Sequence, residues 1–472
     1  MSVTTVDPST GRPLTTYEET TPEELDDLLD QAHRAAATWG RTAPARRAES
    51  LRRLAQVLMQ RQEELALLAT QEMGKPLVES RAEVAKCART CDWFAEHAPP
   101  LLEPEMVETE ALRSQVVATP LGVLLAIMPW NFPYWQVVRA LAPALAAGNV
   151  VVLKHAPSTT GCGLALADAA GAAGLPVGTF SVLVVEVERT AEVVDGVIAD
   201  DRVAAVTLTG STRAGRSVAT AAGRALKKTV LELGGSDPFV VLADADLDAA
   251  AAWAARSRFQ NAGQSCIAAK RIMVEEAVAD AFTEKLLARV RELQLGDPTD
   301  EEVTIGPLAR QDLRDAVDRQ VRDSVAKGAR VLVGGRIPDR PGFFYEPTVL
   351  DEVRPGMPVL EEEVFGPAVP MLRAADPEAA LGLANASAYG LGSAVWTSDL
   401  GRGEALAARL EAGHTAVNGM TVSDPRLPFG GVKDSGYGRE LSHHGLLEFV
   451  DIHAVVVNPP DGPHEDRRTA SE

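Results

Sequence analysis

The chain has 472 residues, 46% hydrophobic and 24% charged, the proportions of a soluble globular protein with roughly two to four domains. Its formal net charge of −20 argues against a nucleic-acid backbone or an anionic membrane as partner. Four cysteines make no disulfide framework in so long a chain, the polar start Met1–Arg12 has no signal-like core, and no apolar run reaches the ~18–20 residues of a membrane span, so a reducing compartment, the cytoplasm, is expected.

Residues 22–98 read as helical, with amphipathic runs Pro22–Trp39 and Ala45–Met73, a break at Gly74-Lys75-Pro76, and an end in the proline-rich Pro99–Pro104. Cys87 and Cys91, four apart in this stretch, fit a core helix face, since no Cys or His follows at ligand spacing. From about residue 121, β-rich runs alternate with Ala-rich helical ones. The predicted strands are Leu121–Ile127, Val150–Leu153, Ser181–Val185, Val203–Leu208 and Thr229–Leu233. Pro133–Ala147, Thr159–Ala173, Thr190–Ala199 and Ala214–Gly223 are the helices between them, a pattern of βαβ units on a parallel sheet.

A second alternating set follows Gly234-Gly235: strand Phe239–Leu242, helix Asp246–Asn261, strand Arg271–Val274 and helix Val278–Leu293, continuing through strands Ala329–Val333 and Ala394–Thr397. Two α/β units joined near 234–235 are therefore expected. Ala111–Thr119 and Phe449–Val457 are strand-like but belong to neither set; they pair with each other or with another subunit. The adjacent His443 and His444 read as surface residues.

Chemistry concentrates at the strand ends. Cys266, framed by Gly263 and small residues, and Glu232, closing an apolar strand, supply a soft nucleophile and a proton-moving carboxylate, the minimum for covalent catalysis on a carbonyl. A free cysteine alone is more often a small buried hydrophobe. Asn131, in Pro129-Trp130-Asn131-Phe132-Pro133, offers an amide to an oxyanion or a cap to the next helix, and its residues leave both open. Gly210-Ser211 lies where a strand passes into a helix, an anion site suited to a pyrophosphate. Lys154, at another strand end, suits ribose hydroxyls or a phosphate. Glu363 suits a second ribose with Phe365 against a flat ring, or else belongs to a solvated acidic turn. Gly210–Ser217 also comes within one residue of a nucleotide-triphosphate loop, with Arg216 in place of its lysine and Asp244 as a metal-binding partner.

Taken together, Pro129–Pro133, Leu208–Thr212, Leu231–Gly235, Gly263–Cys266, Glu362–Pro367 and Pro428–Lys433 occur in the order and spacing of the aldehyde dehydrogenase superfamily. The resemblance spans about residues 5–457. Met128–Phe132, Tyr134–Arg139, Leu153–Pro157 and Leu233–Pro238 most resemble bacterial NAD(P)-dependent succinate-semialdehyde dehydrogenases. The resemblance implies an α/β fold with a Rossmann-like cofactor domain (residues 1–100 and 121–234) and an α/β catalytic domain (235–433). It also implies a small oligomerisation β-flap (101–120 and 434–460); the Pro-, Asp- and Arg-rich composition from Pro459 onward marks 461–472 as a disordered tail.

By the same resemblance Cys266 is the nucleophile, Glu232 the general base and Asn131 the oxyanion side chain. Pro129, Trp130, Lys154, Ala156, Ser158, Gly210, Ser211, Leu233, Glu363 and Phe365 contact NAD or NADP. No metal is implied. Arg139, Trp135 and Ser423 fall where relatives hold the substrate, Arg139 being the group for a distal carboxylate. A second substrate arginine of some relatives is replaced by Gln260; Arg258 and Arg426 are its possible substitutes. Pro157 stands where NAD-preferring relatives carry a glutamate, so NADP should be tolerated. The expected function is oxidation of an aldehyde, foremost succinate semialdehyde, to a carboxylate through a Cys266 thioester, by a homodimer or homotetramer. The alternatives are another aliphatic or aromatic aldehyde, acylation of coenzyme A, which Glu232 disfavours, and, distantly, a P-loop nucleotide-binding module.

Overall fold

The computed structural model describes residues 2–462. Two sheets organise the chain. In the first, Gly436–Tyr437, Lys228–Glu232, Val203–Thr209, Val123–Met128, Val150–His155 and Phe180–Leu183 lie side by side in that order. All pairs are parallel except the short edge strand Gly436–Tyr437. The strands are runs of Val, Leu and Ala with both faces covered, as a parallel sheet between helices requires. The chain starts this sheet at Val123–Met128, runs outward to one edge, and returns to the other side at Val203–Thr209. The order reverses between those two strands, so their carboxyl ends open a crevice, the usual ligand position in such sheets.

Four helices precede this sheet: Pro22–Trp39, Pro44–Gln60, Gln62–Met73 and Leu77–Leu101. The single run expected over Ala45–Met73 is two helices meeting at Arg61, which ion-pairs with Glu64 and Asp168. The last helix continues through Pro99 and Pro100 rather than stopping before them. Its Cys87 and Cys91 are fully buried in the core. A polar hairpin, Ser2–Asp7 with Arg12–Glu18, was not foreseen.

The second sheet has the order Arg330–Val333, Thr348–Asp351, Ala368–Ala374, Ala269–Glu275, Asp237–Val241, Gly392–Trp396 and His414–Val417, parallel but for its first edge. Leu233–Ser236 carries the chain from one sheet to the other. The orphan strands do pair with each other: Val450–Val457 lies antiparallel to Arg113–Pro120, with Glu105–Val107 outside it. Gly436–Tyr437, expected in the projecting segment, instead extends the first sheet, because its backbone reaches the free edge of Lys228–Glu232. The expected tail lies outside the described residues from 463 onward. Among the described residues no helix is long and apolar enough to cross a membrane.

Candidate active site

Where the two sheets face each other, helix Leu247–Phe259 ends in a left-handed turn: Asn261, Ala262 and Gly263 have φ of 54°, 51° and 74°. Positive φ at two non-glycine residues is strained, and the surroundings hold it. Asn261 N–H donates to Glu79 (2.9 Å), and its side-chain amide donates to the Asn131 carbonyl (2.7 Å). Gly263 is required for a further reason: a Cβ there would run into the Gly366 carbonyl. This turn presents Cys266, half-buried, to a cavity of about 620 Å³.

Asn131 reaches the same turn from the first sheet. It is buried, and its amide donates to the Gln264 carbonyl at 3.0 Å while its Oδ1 has no protein partner. Glu232 ends strand Lys228–Glu232, 2% exposed, with both carboxylate oxygens buried and unpartnered. Gly235, three residues on, passes so close to the thiol turn that a Cβ would lie 2.5 Å from the Cys266 carbonyl. Thiol, amide and carboxylate are thus brought together from three separate elements.

Electrostatics explain what each group does at rest. Burial pushes the Cys266 thiol up to about 11, and Glu232 and Asp237 push the same way, while Arg139 and Lys270 pull it down. Burial, then the neighbouring Glu440, raise Glu232 to about 8; Arg139 and Arg439 oppose them. At neutral pH the free protein therefore holds a thiol beside a largely protonated carboxyl. Lys270 links two loops, donating to the Cys266 carbonyl (2.7 Å) and pairing with Glu363 (3.0 Å).

The crevice at the first sheet has features a dinucleotide would use. Ser211 caps helix Thr212–Arg224, its Oγ accepting from Ala214 N–H at 3.2 Å, so the exposed start of that helix faces outward beyond Gly210. Lys154 is buried, and desolvation lowers its ammonium to about 8. Ser158 holds a buried Oγ with no partner. Ala156 and Leu233 are buried beside these groups. Glu363 accepts from Gly235 N–H at 3.1 Å, and Phe365 meets Trp130, which follows Pro129, edge-on at 5.7 Å. An unpartnered buried hydroxyl and a desolvated lysine fit a phosphate-bearing cofactor. The P-loop alternative fails on geometry: Thr212–Ser217 is helix, Gly215 packs against Leu233, and Asp244 belongs to the other sheet, tied to Thr397, Ser398 and Arg402.

The substrate side differs from expectation in its charges. Trp135, Ser423 and Arg139 all line the cavity. Arg139, however, is 1% exposed, and its guanidinium is ion-paired with buried Glu440, donates to Thr209 (3.2 Å) and packs on Phe429. Its charge is paired with Glu440 and its Nη2 is engaged by Thr209. Arg258 is fully buried and donates to the Val364 (3.0 Å) and Gly366 carbonyls, so it shapes the Glu363 loop instead of meeting substrate. Arg426 is held by Asp424 at 2.6 Å. The cation missed from sequence is Lys86, on helix Leu77–Leu101: it also lines the cavity, over the Trp135 ring at 4.0 Å, and donates to Ser423 Oγ at 2.7 Å. Spacing along that helix could have singled out the Lys86, Arg89, Trp93 stripe, but not what it faces. His443 and His444 are exposed, their rings 3.9 Å apart and tilted by 37°.

Comparison with known proteins bears directly on this geometry. Residues 1–455 match the aldehyde dehydrogenase family. The chain is 47% identical to a succinate semialdehyde dehydrogenase [NAD(P)+] of Escherichia coli, covering 95% of this chain and 96% of that one. It is 46% identical to succinate-semialdehyde dehydrogenase [NADP(+)] 1 of Mycobacterium tuberculosis, covering 97% and 100%. The crystal structure of a succinic semialdehyde dehydrogenase from Streptococcus pyogenes with NADP+ superimposes at a TM-score of 0.93, with 36% identity over 97% of this chain and 100% of that one.

Proposed function

Because the chain belongs to the aldehyde dehydrogenase family, we propose that it oxidises succinate semialdehyde to succinate, using NAD or NADP. The bound nicotinamide supplies the hydride acceptor. Lys154, Ser158, Ser211 and Glu363 hold the cofactor, with Trp130 and Phe365 lining its path. Cys266 loses its proton to solvent water and attacks the aldehyde carbon, forming a C–S bond. The Asn131 amide and the Cys266 N–H bind the oxygen that becomes negative. Departure of hydride leaves a thioester on Cys266. Glu232 then takes a proton from water as it attacks that thioester, releasing the carboxylate and regenerating the thiol.

The observation that carries this reading is Glu232 itself, a carboxylate with both oxygens buried and unpartnered whose charge acts on the Cys266 thiol. A structural carboxylate in so dry a position would be hydrogen-bonded. Succinate semialdehyde is favoured by the relatives named for it and by a cavity whose lining carries more cations than carboxylates. NADP is compatible because Pro157 puts no carboxylate near Lys154.

We further propose the division into a cofactor-binding part around the first sheet, a catalytic part around the second, and a flap that joins copies into a homodimer or homotetramer. The flap sheet supports the last point, since Ile452 and Val456 are 62% and 56% exposed within one chain. A thiol that must stay reduced favours the cytoplasm. The test is a panel of succinate semialdehyde, butanal and benzaldehyde with each cofactor, followed by absorbance of the reduced nicotinamide. Succinate semialdehyde should give the highest kcat/KM, and Cys266→Ala should abolish it; an uncharged aldehyde ranking first overturns the substrate.

A further inference from the structure

The arginine in the expected position is ion-paired with Glu440 and donates to Thr209, so a carboxylate of the substrate would have to compete with Glu440 for it. We propose that Lys86, together with the Ser423 hydroxyl it touches, binds the distal carboxylate of the aldehyde. This deepens the functional reading above and rests on it for the presence of that carboxylate.

Four observations converge on Lys86. It lines the cavity that holds Cys266, so a molecule bound covalently at the thiol has its far end within the same enclosure. Its Nζ sits over the Trp135 ring, 4.0 Å from the ring centre, which holds the ammonium in place. Among the described residues its side-chain hydrogen-bond partner is neutral, Ser423 Oγ at 2.7 Å, and an ammonium has two further donors to offer. Finally, its surroundings leave it short of negative charge. Burial lowers the ammonium to about 8, Arg139 and Arg89 add to this, and Cys87 and Glu83 offset only part; Asp424, the other carboxylate that feels Lys86, is held by Arg426. Glu83 is engaged elsewhere, by Lys75 and by the Tyr134 and Trp135 N–H groups (2.8 Å each).

A carboxylate arriving here therefore relieves an unfavourable arrangement, whereas at Arg139 it would have to displace one already in place. Lysine binds as a point charge and not through a planar fork, so Ser423 supplies the direction that a paired arginine would give. Thr90, one turn along the helix, and Gln136 are also in the lining, each with a buried side-chain oxygen lacking a partner. They offer further polar contacts to the same end of the cavity.

The proposal is tested with Lys86→Ala, Lys86→Gln and Lys86→Arg in the full-length enzyme, each assayed on succinate semialdehyde and on butanal, its uncharged counterpart. The ratio of kcat/KM for the two aldehydes should fall at least tenfold in the alanine and glutamine variants, through KM, and recover in part with arginine. Binding of succinate to the free enzyme, measured by calorimetry, should weaken in parallel. A ratio that stays within twofold of wild type, whether or not overall activity falls, overturns the role of Lys86. If wild type itself does not prefer succinate semialdehyde to butanal, the substrate reading fails instead, and that outcome is read before any variant is made.

Discussion

At Glu232 a carboxyl group is held in its neutral form by its own surroundings. Burial and Glu440 raise it to about 8, above the ordinary carboxylate value. The neutral form is thus the one the fold prefers, and stability from this site is present at acid pH and lost as pH rises from the unfolded value through about 8. Glu232→Gln, which mimics the neutral form, should raise Tm by a few degrees at pH 9 and change it little at pH 5. In catalysis the sign reverses, because only the carboxylate accepts a proton. Turnover should climb through about pH 8, and Glu232→Gln should lose that limb together with steady turnover while keeping a burst of reduced cofactor. A lost burst would deny Glu232 a purely deacylating part. Cys266, Glu232 and Asn131 could be singled out in the sequence because each stands in one of the motifs that carry the family resemblance, and the fold brings those motifs together. Lys86 was not, since nothing local says that one stripe of a long helix faces a cavity. Nor was the fate of Arg139, whose partner Glu440 lies far along the chain and meets it only through the fold.

Among the elements, the short turn Gln260–Gly263 sets the position of the thiol. It was expected to continue a helix to Asn261, and helical periodicity gives no warning of residues forced to positive φ by distant partners such as Glu79 and Asn131. Gly263→Ala would add both left-handed strain and a collision with the Gly366 carbonyl. The expected effect is a loss of ~1–3 kcal/mol in stability, read from the denaturation midpoint. A drop in kcat/KM of tenfold or more should accompany it as the thiol shifts. The strands fared better: each buried run of Val and Leu in the first sheet was predicted within a few residues, because a parallel sheet covered on both faces leaves an unbroken apolar signature. The hairpin Ser2–Glu18 leaves none, being Thr-rich and largely exposed on its second strand.

For the molecule as a whole, the three-stranded flap is the part least explained by a single chain. Val450–Val457 exposes residues on both faces, and composition alone flagged only that it belonged to neither sheet. If copies meet there, Ile452→Asp should move the protein to a smaller species in size-exclusion chromatography with light scattering; an unchanged mass would remove the flap from the interface. The cavity has a consequence on this same scale. Lys86, Arg89, Arg139, Arg256 and Arg426 outnumber Glu79, Glu83 and Asp424 in its lining, yet the whole chain carries −20. An anion approaching through water is repelled by the distant surface and attracted only within about a Debye length, ~8 Å at physiological ionic strength. Dissolved salt therefore acts in two opposite directions, easing the approach by shielding the outer field and loosening the final hold at the lysine.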